Sequence, residues 1–212
     1  MFAMSRFLFT ALVALYASMA MCAPTATDHV PTADKRNNVY HDSMASWEVA
    51  PYPDADPIIL NGTIQQVYAE LQQINPNYDE DWEGVEEPEA EDDSPVLEKR
   101  SHDLECWDAR RWGVSPEVMG DGIRYLRKLH GRPYLSAGPN ECFVVSCSWD
   151  SPIRWCNDDT APRYLPSYTN IAEGVEVIMR YCYSTRYRLA AGELDHADKW
   201  RVNIQWEPSQ HC

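Results

Sequence analysis

The stretch Cys142-Phe143-Val144-Val145-Ser146-Cys147-Ser148-Trp149, then Asp150-Ser151-Pro152, then Ile153-Arg154-Trp155-Cys156-Asn157, decides the fold class. Phe143, Val145, Cys147 and Trp149 alternate on one face, the period of a half-buried strand. Asp150-Ser151-Pro152 supplies turn residues, and Ile153 to Asn157 is predicted to return as the antiparallel partner. A two-residue turn places Cys147 opposite Cys156, whereas a one-residue slip places Trp149 near Trp155 instead. The spacing leaves both registers open.

Upstream of this hairpin, Ser115-Pro116-Glu117 offers an N-cap, a proline at the first helical position and an acid in the first turn. Val118, Met119, Gly122, Ile123, Leu126 and Leu129 follow at helical spacing, and Gly131 closes the helix. Leu104 to Asp108 is a short candidate strand. Downstream, Ser167 or Thr169 caps a second helix carrying Ile171, Val175, Ile178 and Cys182. Gly192 to Asp198 reads as a solvated loop. Trp200, Val202, Ile204 and Trp206 then alternate with Arg201, Asn203 and Gln205 in a half-buried strand. The order strand-helix-strand-strand-helix-strand predicts an α+β fold: a small disulfide-stapled antiparallel sheet with two helices packed on one face.

Six of the seven cysteines fall in this half of the chain: Cys106, Cys142, Cys147, Cys156, Cys182 and Cys212. The even number predicts three disulfides, with about fifteen pairings open. Cys182 lies on an apolar helical stripe, so its bridge should cross from helix to sheet. Cys212 should tether the chain end. A zinc site is disfavoured, because paired CxxC or HxxxH spacings are lacking.

Charge divides the chain as sharply as cysteine does. The 212 residues carry a net charge of −15, and residues 1–100 hold 18 acidic against 5 basic residues, leaving residues 101–212 at −2. Residues 1–23 read as a secretory signal: Arg6, then an apolar run from Phe7 to Ala17, then small residues at Ser18, Ala20 and Ala23. Residues 24–100 read as an acidic, largely disordered pro-segment with a short amphipathic helix near 63–75, carrying Ile64, Val67, Tyr68, Leu71 and Ile74. Such a helix cannot bury its own stripe, so it should dock on something. The downstream domain is one candidate, which makes the segment a folding aid or a mask.

The acidic tract ends at Lys99-Arg100, a dibasic site for a processing protease, with Leu97 matching a fungal kexin site better than an animal furin site. Lys35-Arg36 is a possible second cut. Asn61-Gly62-Thr63 is an N-glycosylation sequon, consistent with secretion. Residues 101–212 are then the mature cysteine-rich domain, secreted and extracellular, with no membrane span.

Chemistry-bearing groupings are few, and none is assigned a catalytic role. His130 lies beside Arg127, Lys128 and Arg132, a patch that a metal-independent ribonuclease would need. A polar helix end with basic residues complementing the helix C-terminus explains it more simply. Asp195, His196 and Asp198 are ligand types in a loop, and Asp158-Asp159 makes a carboxylate pair with Glu141 or Asp150 only if the fold brings them together. No cofactor or metal is expected. No nucleic-acid partner is expected either, although without the pro-segment that exclusion rests only on the lack of a basic cluster. Exposed aromatics among Trp107, Trp112, Trp149, Trp155, Trp200 and Trp206 would suit carbohydrate or protein contact.

Gly122-Ile123 with Tyr125-Leu126, Pro133, Gly138-Pro139, Cys142, Val145-Ser146-Cys147-Ser148, and Ile153 with Trp155-Cys156-Asn157-Asp158 resemble a group of small secreted cysteine-rich fungal proteins. Trp200, Val202, Ile204 and Cys212 extend the likeness over most of residues 104–212. The element order is similar to the α/β sandwich of fungal killer toxins and related secreted effectors, which are made as kexin-processed precursors. Leu60 to Asn75 also resembles a recurring pro-segment pattern in secreted fungal proteins. The resemblance implies an effector-like or toxin-like protein, non-enzymatic, that binds a host or competitor surface component. It carries over no catalytic residues.

Overall fold

The computed structural model describes residues 46–85, 102–209 and 212; the signal stretch 1–23, Lys35-Arg36, Lys99-Arg100 and His211 lie outside them. The N-terminal part holds β1 (Ser46–Val49), β2 (Ile58–Asn61), α1 (Ile64–Ile74) and α2 (Tyr78–Asp81). Then come β3 (His102–Cys106), α3 (Ala109–Trp112), α4 (Pro116–Lys128), β4 (Gly131–Arg132) and β5 (Tyr134–Leu135). The central hairpin is β6 (Glu141–Ser148) and β7 (Ser151–Asn157), followed by β8 (Arg163–Tyr164) and α5 (Thr169–Tyr181). The chain closes with β9 (Tyr183–Ser184), β10 (Leu189–Ala190), β11 (Gly192–His196) and β12 (Trp200–Ile204).

The molecule is mixed α+β, with a five-stranded antiparallel sheet in the order β3-β11-β12-β7-β6. The β6–β7 turn is Trp149-Asp150, both at positive φ (53° and 54°), as a tight hairpin with the sheet's twist requires. β7 therefore begins at Ser151, one residue before the turn triplet read from sequence would end. Pro152 opposes Cys147 beyond the last β12 pairing, where its missing N–H costs no ladder bond.

A bulge at Val145 shifts the register between Val144 and Ser146. As a result Cys142 faces Cys156 and Cys147 faces Pro152, so neither register considered above occurs. The three disulfides are Cys106–Cys182, Cys142–Cys156 and Cys147–Cys212. The first joins the end of α5 to β3, and the third fastens the terminus to the hairpin.

α4 forms as its cap signals dictate. The Ser115 hydroxyl accepts from the Val118 N–H at 3.3 Å, Pro116 opens the helix, and Arg127 and Lys128 occupy its last turn. Gly122 lets the helix close on the sheet, since a Cβ there would lie 2.7 Å from the Ile153 Cδ1 and 2.8 Å from the Ser146 Oγ. α5 starts one residue differently from either cap considered. Tyr168 is its N-cap, and the Ser167 hydroxyl accepts from the Thr169 N–H at 3.0 Å. α4 packs on β6 and β7, α5 on β3, β11 and β12, and the two helices touch.

β11 is the element absent from the sequence reading. Leu194 faces the apolar side, paired with Leu104 and Val202, while Glu193 and Asp195 alternate onto the opposite side. Charge every second residue made a central strand look like a solvated loop.

Residues 46–85 contain more order than a lone helix. β1 and β2 form an antiparallel hairpin, and β1 also pairs with β4, Val49 opposite Gly131. Gly131, at φ +145°, permits this approach, for a Cβ would fall 2.2 Å from the Glu48 carbonyl oxygen. α1 carries a capping box in which Thr63 and Gln66 satisfy each other's backbone N–H. Its buried face, Ile64, Val67, Tyr68 and Leu71, joins Trp47, Val49, Leu60 and Tyr78 in one apolar core with Met119, Leu126, Phe143, Trp155 and Tyr168. Trp47 is the centre of this junction, 5.2 Å from the Tyr168 ring and 5.8 Å from Phe143.

Candidate functional site

The end of α4 is where sequence placed a basic patch, and it is where the N-terminal segment closes on the domain. Lys128 donates from Nζ to Asp79 at 2.7 Å and to the Tyr68 hydroxyl at 3.0 Å. The Tyr68 hydroxyl in turn donates to the Asp79 carboxylate at 2.6 Å. Partial burial pushes the Asp79 carboxyl up, but hydrogen bonds from Lys128 and Tyr68 outweigh this and hold it below its ordinary value. The same bond to Asp79, with a smaller share from Tyr68, raises Lys128. Tyr68 is raised by burial first and by its bond to Asp79 second.

His130 lies flat against Trp82, with ring centroids 3.9 Å apart and planes within 4°. Its backbone N–H donates to the Tyr78 hydroxyl at 3.1 Å, and its carbonyl accepts from the Ala50 N–H at 2.9 Å. Further in, the Tyr168 hydroxyl donates to the Glu48 carbonyl at 3.0 Å, and burial drives its acidity down strongly. Arg127 and Arg132 do not join His130. Arg127 pairs with Glu176 at 2.9 Å, and Arg132 stacks on Tyr164. The four residues that sequence grouped as a basic patch thus have different partners, and two of them, Lys128 and His130, contact the chain's own α2 region.

The second charged assembly is the side of the sheet away from the apolar face. β-pairing brings Arg154, Glu193, Arg201 and Asn203 together there. Arg154 is 0 % exposed and Glu193 1 %. Burial of such groups is tolerated only with partners. Arg201 pairs with Glu193 at 3.1 Å and with Asp158, and donates to Asn140 at 3.0 Å; Arg154 pairs with Glu207. Sequence reasoning missed this network because its members sit on three strands, one of them unrecognised.

The remaining candidates separate. Asp158 is held by Arg201, whereas Asp159 meets Lys199 at 3.4 Å. The Thr160 N–H, more than Lys199, keeps the Asp159 carboxyl low. Glu141 accepts instead from Ser136, so no carboxylate pair forms with it. Asp198 pairs with Arg163 at 3.1 Å, and His196 stacks on Trp200 at 3.5 Å on the apolar side, opposite in pleat to Asp195. Among the described residues no group of three His, Cys, Asp or Glu side chains is placed to hold a metal. No helix of theirs is long and apolar enough to cross a membrane.

Aromatic exposure sorts the tryptophans. Trp155 and Trp200 fill the core, while Trp149 is 81 % exposed at the hairpin tip. The Cys147–Cys212 bridge and a 3.2 Å bond from the Trp149 N–H to the Cys212 carbonyl fix the backbone beneath it. A large ring on a stapled turn presents contact area with little entropy to lose. No family model, curated protein or solved structure matches the chain.

Proposed function

We propose that the chain is a secreted, effector-like or toxin-like protein, non-enzymatic, cut after Lys99-Arg100 and acting by binding an extracellular host or competitor component. In this reading residues 46–85 are the folding partner of the cysteine-rich domain. The observation that carries it is the closure of α4's end: Asp79, Tyr68, Tyr78 and Trp82 occupy Lys128 and His130 while Trp47 and α1 complete the core. The apolar core shared by the two parts supports that partnership. The sequon asparagine, Asn61, is exposed at the end of β2, compatible with a glycan.

The test is intact mass and N-terminal sequencing of the secreted protein. Expected are a chain beginning at Ser101 with three disulfides and a separate fragment carrying residues 46–85. A secreted chain still covalently continuous across Arg100 removes the processing step.

A ribonuclease is the second reading, favoured by one observation. Departure of residues 46–85 would take Asp79 from Lys128 and Trp82 from His130 together. Separate His130→Ala and His196→Ala variants decide between the two readings. Retained biological effect supports binding, and loss of effect with an unchanged fold supports hydrolysis.

A further inference from the structure

Thirteen basic residues lie between 101 and 212. Seven of them, from Arg124 to Arg201, hold a carboxylate. Among the described residues, Arg110, Arg111, Arg132, Arg180, Arg186 and Arg188 form no ion pair. Arg132 lies on Tyr164. The other five converge on one lobe of the fold.

Arg110 and Arg111 are exposed on α3, Arg180 is exposed on the last turn of α5, and Arg186 and Arg188 lie in the exposed turn between β9 and β10. α3 packs on β10. Just beyond α3, Val114 and Ala190 exchange both backbone hydrogen bonds, at 2.8 and 3.0 Å. α5 packs on β9, which follows it directly.

The sequence here reads Arg180-Tyr181-Cys182-Tyr183-Ser184-Thr185-Arg186-Tyr187-Arg188, with no carboxylate. Tyr181, Tyr183 and Tyr187 are exposed between the arginines, Tyr181 at 66 %. The lobe is held by Cys106–Cys182 and by the Arg188 N–H donating to the Ser184 carbonyl at 2.7 Å. Glu117 is near. Its own backbone N–H, then the Ser115 hydroxyl, hold its carboxyl low, with a smaller contribution from Arg188. No ion-pair contact joins Glu117 to Arg188.

Among the described residues, every Lys and Arg elsewhere in the domain except Arg132 pairs with a carboxylate, so a cluster without ion pairs and interleaved with phenol rings is a distinct surface. Two of its arginines, Arg186 and Arg188, sit on a turn exposed at each residue from Thr185 to Arg188, which suits a flat partner better than a polymer that must be tracked along a groove. Guanidinium groups fork onto phosphate oxygens, and tyrosine rings settle at headgroup depth.

We propose that the α3–β9–β10 lobe docks on a bilayer surface bearing anionic phospholipid headgroups. This names the surface component left open above and rests on that binding reading. The docking is peripheral and requires no spanning helix. Among the described residues, none of the hydrogen bonds or ion pairs of residues 46–85 reaches residues 180–190.

The test is co-sedimentation of uncleaved and cleaved protein with vesicles of phosphatidylcholine alone or with about 30 % phosphatidylserine. Both protein forms should bind only the anionic vesicles, and less at high salt. Each arginine near a charged leaflet contributes about fivefold in affinity, so Arg186→Gln with Arg188→Gln should weaken binding about 25-fold. Tyr183→Ala with Tyr187→Ala should weaken it as well, with the circular dichroism spectrum unchanged.

Equal binding to neutral vesicles, no binding to either, or an unaltered affinity in the double arginine variant overturns the proposal. Capture of a uridine homopolymer or a polyuronate through the same arginines, without vesicle binding, also overturns it. If vesicles are not bound but a Ser101 chain and its biological effect are found, membrane docking alone fails. If vesicles are bound by a chain that is never cut, docking stands and the processing step fails.

Discussion

Replacing Trp47 by alanine tests whether residues 46–85 share the core of the cysteine-rich domain. Trp47 is 1 % exposed, contacts Phe143 and Tyr168, and donates its indole N–H to the Gly62 carbonyl at 2.8 Å. Truncating a buried tryptophan costs about 3–5 kcal/mol in lost transfer energy and cavity formation. For a cooperative unit of this size, each kcal/mol lowers the melting temperature by about 2–4 °C, so a fall of about 10 °C is expected. The assay is thermal unfolding of the uncleaved, oxidised chain followed by near-ultraviolet circular dichroism. That signal reports the buried Trp155 and Trp200 as well as Trp47. Trp47→Phe should fall between the two. A shift below about 2 °C, or an early transition that leaves the Trp155 and Trp200 signals intact, would refute the shared core.

Two further outcomes follow from the charged assemblies. Asp79→Asn removes the Lys128 ion pair, but both partners are nearly half exposed, so the loss at neutral pH should stay near or below about 1 kcal/mol. Because the folded Asp79 carboxyl lies below its ordinary value of 3.8, its contribution is present above that pH and disappears as pH falls through the lower folded value. Urea midpoints between about pH 5 and pH 2 should therefore decline less steeply in the variant than in the parent. Arg201→Met takes the guanidinium from Glu193 and Asp158 and should cost about 3–5 kcal/mol. Pairing it with Glu193→Leu should recover part of that loss, and additive losses in denaturant titrations would contradict a direct pair.

The helix α4 was legible because its signals are local: Ser115, Pro116 and Glu117 mark its start, and Met119, Gly122 and Leu126 lie on one face. The existence of the β6–β7 hairpin was legible for the same reason. Its register was not, because one extra residue at Val145 inverts the alternation beyond it, and nothing in the residue types marks a bulge. β11 escaped because its outward residues, Glu193 and Asp195, face a charged layer that exists only once β12 supplies Arg201. In the N-terminal part, the acidic run from Asp79 onward set the average, and the average concealed Trp47, Val49, Ile58 and Leu60. Their alternation was readable as a hairpin. What no local pattern could reveal is that α2's acids meet Lys128, a contact 49 positions away.

The 3.0 Å bond from the Tyr168 hydroxyl to the Glu48 carbonyl spans 120 positions. A ribosome delivers the chain from the N-terminus, so β1 and α1 exist long before the residues they rest on. They have no core of their own to occupy during that interval, and contacts this distant in sequence form slowly. The N-terminal part therefore reaches its final place only after Tyr168 has been synthesised. Timing then governs the product of any cut between the two parts. A protease acting late meets two halves already joined, whereas one acting early separates them before either has a complete interior.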